Sequence, residues 1–436
     1  MDNAAAVPSP RERVKASAWW MLFVLSLFSS ISFVDRFSLS ILAESIRTDL
    51  GFTDTQMSIL LGPAFTICYA TFAIPLGWAA DRHPRRWVVF AGLVFWSFCT
   101  ALTGVARSFA LMFAARAGVG LGEASLSPSA YSMLSDAFPP HRLSIAISIY
   151  QMGVYMGKGG SFLLVALALS HVPEILSVLP FLSALAPWQI VVILIGAPGA
   201  LLALLIFTFS EPQRRALGRR AHGEESTITE LWPFIQSEPK LLGLLAVGFS
   251  LVAFVSTALT SWLPTYLDRR FGMGPVEYAP LFSLVSLVGA VSLVAKASLM
   301  DLFYGRGTKD AHIRLYLWLM GLSSPAVYAM FWVQSPNLLF VCYAAVTIIT
   351  IPFMVFLVPV LQIIGPAQIR ARLSASFVFV ISTVGSLGAV VVGLLTDYVL
   401  GGPEHLGTAL GVVNGVCLPI TFLCLRATMP LLRRVM

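Results

Sequence analysis

Ala114-Ala115-Arg116-Ala117-Gly118-Val119-Gly120-Leu121-Gly122-Glu123-Ala124-Ser125 is the stretch on which the fold turns. It places an arginine and a glutamate in a run that is otherwise apolar and small. Two helical turns separate Arg116 from Glu123, so both share one face, about 10 Å apart along the axis. If the segment crosses a bilayer, both charges lie at membrane depth. A charge there costs roughly 2.5 kcal/mol or more, and such residues face a cavity or a partner. A buried ion pair with a purely structural role gives the same pattern.

Composition supports the membrane reading. Of 436 residues, 57% are hydrophobic and only 11% charged, against about a quarter in a soluble domain. Apolar runs of about 20 residues recur along the chain, which predicts a polytopic membrane protein. Arg11, Arg13 and Lys15 precede a run too long for the apolar core of a cleavable signal. The five cysteines all fall inside apolar runs and read as small core residues, so no disulfide, metal site or cofactor is expected.

Twelve spans are predicted, at roughly 18–45, 55–80, 85–105, 109–135, 141–170, 188–210, 240–267, 277–303, 312–333, 337–363, 369–399 and 406–430. With both termini placed in the cytoplasm, the segments on that side hold twenty Lys and Arg and the opposite side four. That asymmetry sets the expected orientation, in a bacterial-type inner membrane, and explains the basic balance without nucleic acid. Residues 212–239 are charged and divide the chain into an N-terminal bundle, 1–211, and a C-terminal bundle, 240–436. Arg142-Leu143-Ser144 and Arg372-Leu373-Ser374 open spans five and eleven, and Asp81 and Asp301 end spans two and eight. These echoes fit a parallel internal repeat. Residues 170–187, apolar but interrupted by three prolines, are expected to lie in the outer headgroup layer.

Gly77-Trp78-Ala79-Ala80-Asp81-Arg82-His83-Pro84-Arg85-Arg86 resembles the loop signature of the major facilitator superfamily, with Pro84 at the usual glycine. Phe33-Val34-Asp35-Arg36-Phe37 and Gly120-Leu121-Gly122-Glu123-Ala124-Ser125 are similar to stretches of the Spinster family of lipid transporters. The resemblance implies an all-α membrane protein with the major facilitator superfamily fold, twelve transmembrane helices in two six-helix bundles. It also implies a central cavity lined by spans one, four, seven and ten. Members of the Spinster family are implicated in moving lysophospholipids or sphingosine phosphate, some with proton coupling.

At 1.5 Å per residue, Asp35 lies about 24 Å above the cytoplasmic edge, Glu123 about 18 Å and Arg116 about 28 Å. Asp35, Arg36, Arg116 and Glu123 therefore sit near one level as a neutral set. Protonating one carboxylate leaves the set positive, which favours an anionic headgroup, and an arginine fork suits phosphate oxygens. Asp35 and Glu123 are the candidate proton carriers. Arg36, Arg116, Glu123 and Tyr343 are the candidate substrate residues. Bracing of span one against span four explains the same charges without transport. The second half offers an apolar and aromatic wall suited to an acyl tail. Lys158 fits either a lipid phosphate or outward snorkelling, and Lys296 reads as snorkelling. Gly153, Gly157, Gly385 and Gly388 are expected at close helix contacts, either as packing alone or as the contacts that move between halves. Asp81 with Arg82, Arg85, Arg86 and Arg142 is expected to form a cytoplasmic gating cluster.

The sequence thus predicts a monomeric carrier in the membrane, working with protons on a lipid-like substrate by alternating access. A carrier of small organic anions or drugs is the alternative. No histidine has an aspartate five residues on, and no phosphate-binding G-x-x-x-x-G-K-[ST] loop is present. Those facts argue against an embedded acyltransferase and a primary pump.

Overall fold

The structure, a computed structural model, describes residues 14–214, 231–308, 310–350, 353–366 and 369–435. Arg11 and Arg13, the charged linker residues from Arg215 to Thr227, and Lys309 lie outside the described residues. The first six helices are α1 (Ala16–Ile41), α2 (Asp54–Arg82), α3 (Arg85–Val105), α4 (Phe109–Ala137), α5 (Pro140–Ser170) and α6 (Pro187–Thr208). The last six begin with α7 (Pro239–Phe271), α8 (Pro275–Gly305) and α9 (Ala311–Ala329). They continue with α10 in two pieces (Pro336–Ile349 and Met354–Ile364), α11 (Arg370–Leu394) and α12 (Leu406–Val435). Among the described residues, eleven helices are long and apolar enough to cross a membrane, and α9 is the one of the twelve outside that set.

Local chemistry sets the ends. Proline takes the first position of α5, α6, α7, α8 and α10, where its missing N–H is no loss. Thr53 and Gln56 form a reciprocal capping box at the start of α2. Gly272 ends α7 at φ 64°, a conformation that favours glycine. The first span is shorter than expected: α1 stops at Ile41, and a separate helix, Ala43–Leu50, lies across its end. Residues 170–187 form a short helix, Val172–Val178, and a 3₁₀ turn, with Val178 and Phe181 exposed.

Twelve successive long helices put the start of α1 and the end of α12 on one face, called here the terminal face; the opposite is the far face. Glycines let the helices close up within each half. A Cβ on Gly153 or Gly157 of α5 would meet the Ser26 and Ser30 carbonyl oxygens of α1 at 2.5 and 2.3 Å. In the second half, Gly385 and Gly388 of α11 press in the same way on Ala253 and Phe254 of α7. These glycines therefore pack helices of the same half. That is the packing alternative, and these contacts do not lie between the halves.

The contacts between halves lie towards the far face. Arg269 of α7 binds Asp54 and Glu44 of the first half. The Asp397 carboxylate, just beyond α11, accepts from the backbone N–H of Asp54 (3.3 Å) and Thr55 (2.6 Å) at the start of α2. Tyr278 donates to the Ile41 carbonyl, and Phe162 of α5 stacks on Phe282 of α8 at 4.6 Å. The apolar core follows this division. One cluster fills the second half and runs on into Leu39, Ile41, Met57 and Phe162 of the first. Met21, Leu22, Met133, Leu134 and Phe138, towards the terminal face, belong to a separate cluster made of first-half residues. The halves are joined at the far face, and their cores part towards the terminal face.

Candidate functional site

The small residues of α4 are what bring its charges inside. A Cβ on Gly120 would meet the Phe65 carbonyl oxygen of α2 at 2.4 Å, and one on Gly122 the Gly92 carbonyl oxygen of α3 at 2.7 Å. Helix α4 is thereby pressed against α2 and α3, with Arg116 and Glu123 both buried. Helical hydrogen bonding is interrupted at Ala124–Ser125, one residue beyond Glu123, where the Ser125 hydroxyl donates to the Gly122 carbonyl (2.8 Å).

Glu123 is the hub of the site. Its Oε2 accepts from Ser32 Oγ (2.6 Å) and from Arg36 Nε and Nη2 (both 2.7 Å) of α1. The Arg36 guanidinium also lies 4.4 to 4.9 Å from the ring centroids of Phe33, Phe65 and Tyr69. These contacts hold its planar fork in one pose. Glu123 Oε1 is buried and has no hydrogen-bond partner among the described residues. Arg36 and Glu123 line a cavity of about 220 Å³ with Ser29, Tyr69, Ser127 and Gln151.

The four expected charges do not all reach that cavity. Asp35 points towards α3, where Thr100 donates to its Oδ2 (3.2 Å) and the Trp96 indole N–H also faces its carboxylate. Arg116 is 4% exposed and lies 5.7 Å from the Phe65 ring centroid, within electrostatic reach of Asp35 and Glu123. It forms no direct ion pair among the described residues, and its Nε is unpartnered. The set is therefore layered: Arg36 and Glu123 at the cavity wall, Asp35 and Arg116 behind. The expectation that Arg116 contacts substrate does not match its place in this state. Tyr343 is likewise buried, packed on Phe282 at 5.0 Å away from the cavity wall.

The expected gating cluster is also rearranged. Arg85 is 1% exposed and binds Asp136, Glu211, Ser132 and the Pro212 carbonyl. Arg86 reaches Glu211 and the Phe209 carbonyl. Burial pushes the Glu211 carboxyl up, but hydrogen bonds from Arg85 and Arg86 outweigh it and hold the group below its ordinary value. Arg82 stacks 3.6 Å over Trp78. Asp81 and Arg142 are exposed and join no ion pair among the described residues. The arginines gather on Asp136 and Glu211 instead of Asp81, and that network stays within the first half.

Of the two mid-span lysines, Lys296 departs from the sequence reading and Lys158 takes the inward one of its two alternatives. Lys296 is buried and donates to the Ile348 carbonyl of α10, so it does not snorkel. Lys158 lines a second cavity, of about 240 Å³, with Tyr155, Ser256, Ser286, Thr347 and Phe353. The sequence signal for it was a lone cation in mid-span within a glycine run, Gly157-Lys158-Gly159-Gly160.

Twelve helices in two halves, joined at one face around buried charge and two internal cavities, define a multi-pass membrane transporter. The chain belongs to the Major Facilitator Superfamily, whose description matches residues 11–393. It is a secondary transporter and not an enzyme. It is 27% identical over 403 residues to an MFS-type efflux pump of Mycolicibacterium smegmatis, covering 90% of this chain and 88% of that one. It is 26% identical over 335 residues to a probable galactarate/D-glucarate transporter of Bacillus subtilis, 70% of each chain. It also resembles protein spinster of Drosophila melanogaster, at 27% identity over 277 residues, 62% of this chain but 42% of that protein. Its fold matches the crystal structure of a bacterial homolog to human lysosomal transporter Spinster, inward-facing and unoccupied, with a TM-score of 0.82. That match has 24% identity and covers 97% of this chain and 98% of the other.

Proposed function

We propose that the chain carries an amphipathic anionic lipid, of lysophospholipid or sphingosine-phosphate type, across the membrane by alternating access coupled to protons. The observation that carries this reading is the Arg36–Glu123 pair at the wall of a cavity, with Glu123 Oε1 left unpartnered. A proton on Glu123 weakens its hold on Arg36 and frees the guanidinium fork for phosphate or carboxylate oxygens. Loss of the proton re-forms the pair and releases the anion. Asp35, behind the pair and held through Thr100, is the second proton carrier.

In this reading the terminal face is cytoplasmic, because the sequence assigns twenty lysines and arginines to the segments of that side and four to the other. The state described is then open inward and closed outward, the protein acts as a monomer, and residues 212–239 are a cytoplasmic connector. Asp81, Arg82 and Arg142, exposed here, engage when the terminal face closes.

A small organic anion is the second reading. Ser256, Ser286 and Thr347 favour it, since they bring polar groups of the second half to a cavity. The likeness to a probable galactarate/D-glucarate transporter supports it as well.

Proteoliposomes with an imposed pH gradient separate the readings. Gradient-driven movement of lysophosphatidylglycerol is the expected result. Movement of glucarate alone would select the second reading, and movement of either without regard to the gradient would remove proton coupling.

A further inference from the structure

We propose that Lys158 anchors a second anion subsite, separate from the Arg36–Glu123 pocket, that takes a single phosphate or carboxylate group at the junction of the two halves. The proposal deepens the transport reading above and rests on it.

Position 158 is held inward from two sides. A Cβ on Gly157 would meet the Ser30 carbonyl oxygen at 2.3 Å, so α5 lies hard against α1 there. On its other side, the Ser283 hydroxyl of α8 donates to the Gly159 carbonyl at 2.7 Å. Between these contacts the Lys158 ammonium lies 5.2 Å from the Phe37 ring centroid and lines the cavity with Ser256 of α7, Ser286 of α8 and Thr347 of α10.

Charge makes this lysine different from the arginines. Asp35, Arg36, Arg116 and Glu123 sum to zero, and Arg36 already has its carboxylate at 2.7 Å. Lys158 joins no ion pair among the described residues, and its ammonium lies over the Phe37 ring. A charge at membrane depth without a partner is costly, and an anion arriving from water supplies the partner. A second polar group, the Thr347 hydroxyl, lies at the same wall; it is 5% exposed and within reach of the Tyr343 hydroxyl one helical turn away. The three ammonium donors of lysine and one hydroxyl donor suit one compact anionic group. An anion held there touches α5 of one half and α10 of the other, so its binding depends on how the halves are set.

The test uses the full chain purified in a neutral detergent, with equilibrium dialysis of three probes: lysophosphatidylglycerol, glucarate and uncharged monoolein. Lys158→Met is expected to weaken the anionic probe about 10- to 100-fold, the loss of one charge-assisted contact. Monoolein binding is expected to be unchanged. Lys158→Arg, which keeps the charge, is expected to retain the anion and guards against a folding defect. Thr347→Val is expected to give a smaller loss. Binding of the lysolipid but not glucarate identifies a lipid headgroup as the source of the anion, and the reverse identifies a free acid. The proposal is overturned if Lys158→Met binds the anion like wild type, loses monoolein equally, or if wild type retains neither anion. Lys158-dependent binding without gradient-driven movement would sink the transport reading and leave this subsite standing.

Discussion

Arg269 of α7 and Asp54 at the start of α2 form a two-pronged ion pair across the halves, Nη2 to Oδ1 at 2.6 Å and Nη1 to Oδ2 at 2.8 Å. Asp54 is 2% exposed, and Arg269 also donates from Nε to Glu44 at 2.9 Å. One guanidinium thus holds two first-half carboxylates.

Removing that guanidinium should open the far face. An uncompensated buried charge costs about 3–5 kcal/mol, and deleting Arg269 costs part of that, because Arg47 still pairs with Glu44 at 2.6 Å and lies 3.7 Å from Asp54. Arg269→Met should therefore shift the population away from the far-face-closed state. Spin labels at the far-face ends of α1 and α7 should report longer distances; an unchanged distribution would mean that packing alone closes this face.

The same gate has a definite pH response. Burial pushes the Glu44 carboxyl up, but hydrogen bonds from Arg47 and Arg269 hold it below its ordinary 4.5. A carboxyl lowered in the closed state stabilises that state above about pH 4.5, and the stabilisation is lost as pH falls through the lowered value. The Glu44 contribution should be flat from pH 6 to 8 and decline only in acid. Glu44→Gln should remove the acid-side lengthening of the spin-label distances and leave their profile from pH 6 to 8 as it was.

Arg85 and Asp81 should behave oppositely. Arg85→Gln leaves Asp136 and Glu211 without their buried cation, and thermal unfolding in detergent should fall by several degrees. Asp81→Asn changes an exposed group and should leave the unfolding temperature within a degree or so, while slowing transport. Equal stability losses would place Asp81 in the folded-state network after all.

Glycine substitutions should separate tight helix contacts from open ones. Gly120→Ala puts a methyl 2.4 Å from a backbone oxygen and should destabilise by about 1–3 kcal/mol. Gly160→Ala, with nothing within 4 Å, should be neutral or gain up to about 1 kcal/mol from helix propensity. Unfolding midpoints of the two variants check this directly.

Much of this was legible in the sequence, for physical reasons. Long apolar runs bounded by charged loops mark helices that must satisfy their own hydrogen bonds in lipid, so the span pattern could be read. Glu123 and Arg36 could be read as a site because ionised groups at membrane depth need a partner. What escaped was direction. Helical spacing puts Asp35 and Arg36 about 100° apart but does not say which one faces the cavity; packing against Thr100 decides it. Lys158 and Lys296 are equally flexible cations in sequence. One lines a cavity between halves and the other caps a carbonyl because of neighbours on α8 and α10. Asp81 looked like the natural partner of Arg85 by proximity in the chain. Its place is taken by Asp136 and Glu211, which are distant in sequence and adjacent only once α3, α4 and the segment after α6 have packed.

Proton coupling through the buried carboxylates of the first half is the central claim. The most direct test is the pH profile of gradient-driven lysophosphatidylglycerol movement in proteoliposomes, for wild type, Asp35→Asn and Glu123→Gln. The account predicts a profile flattened in Asp35→Asn and transport no longer driven by the gradient in Glu123→Gln, with both variants folded. Profiles in both variants that follow the wild type would contradict it.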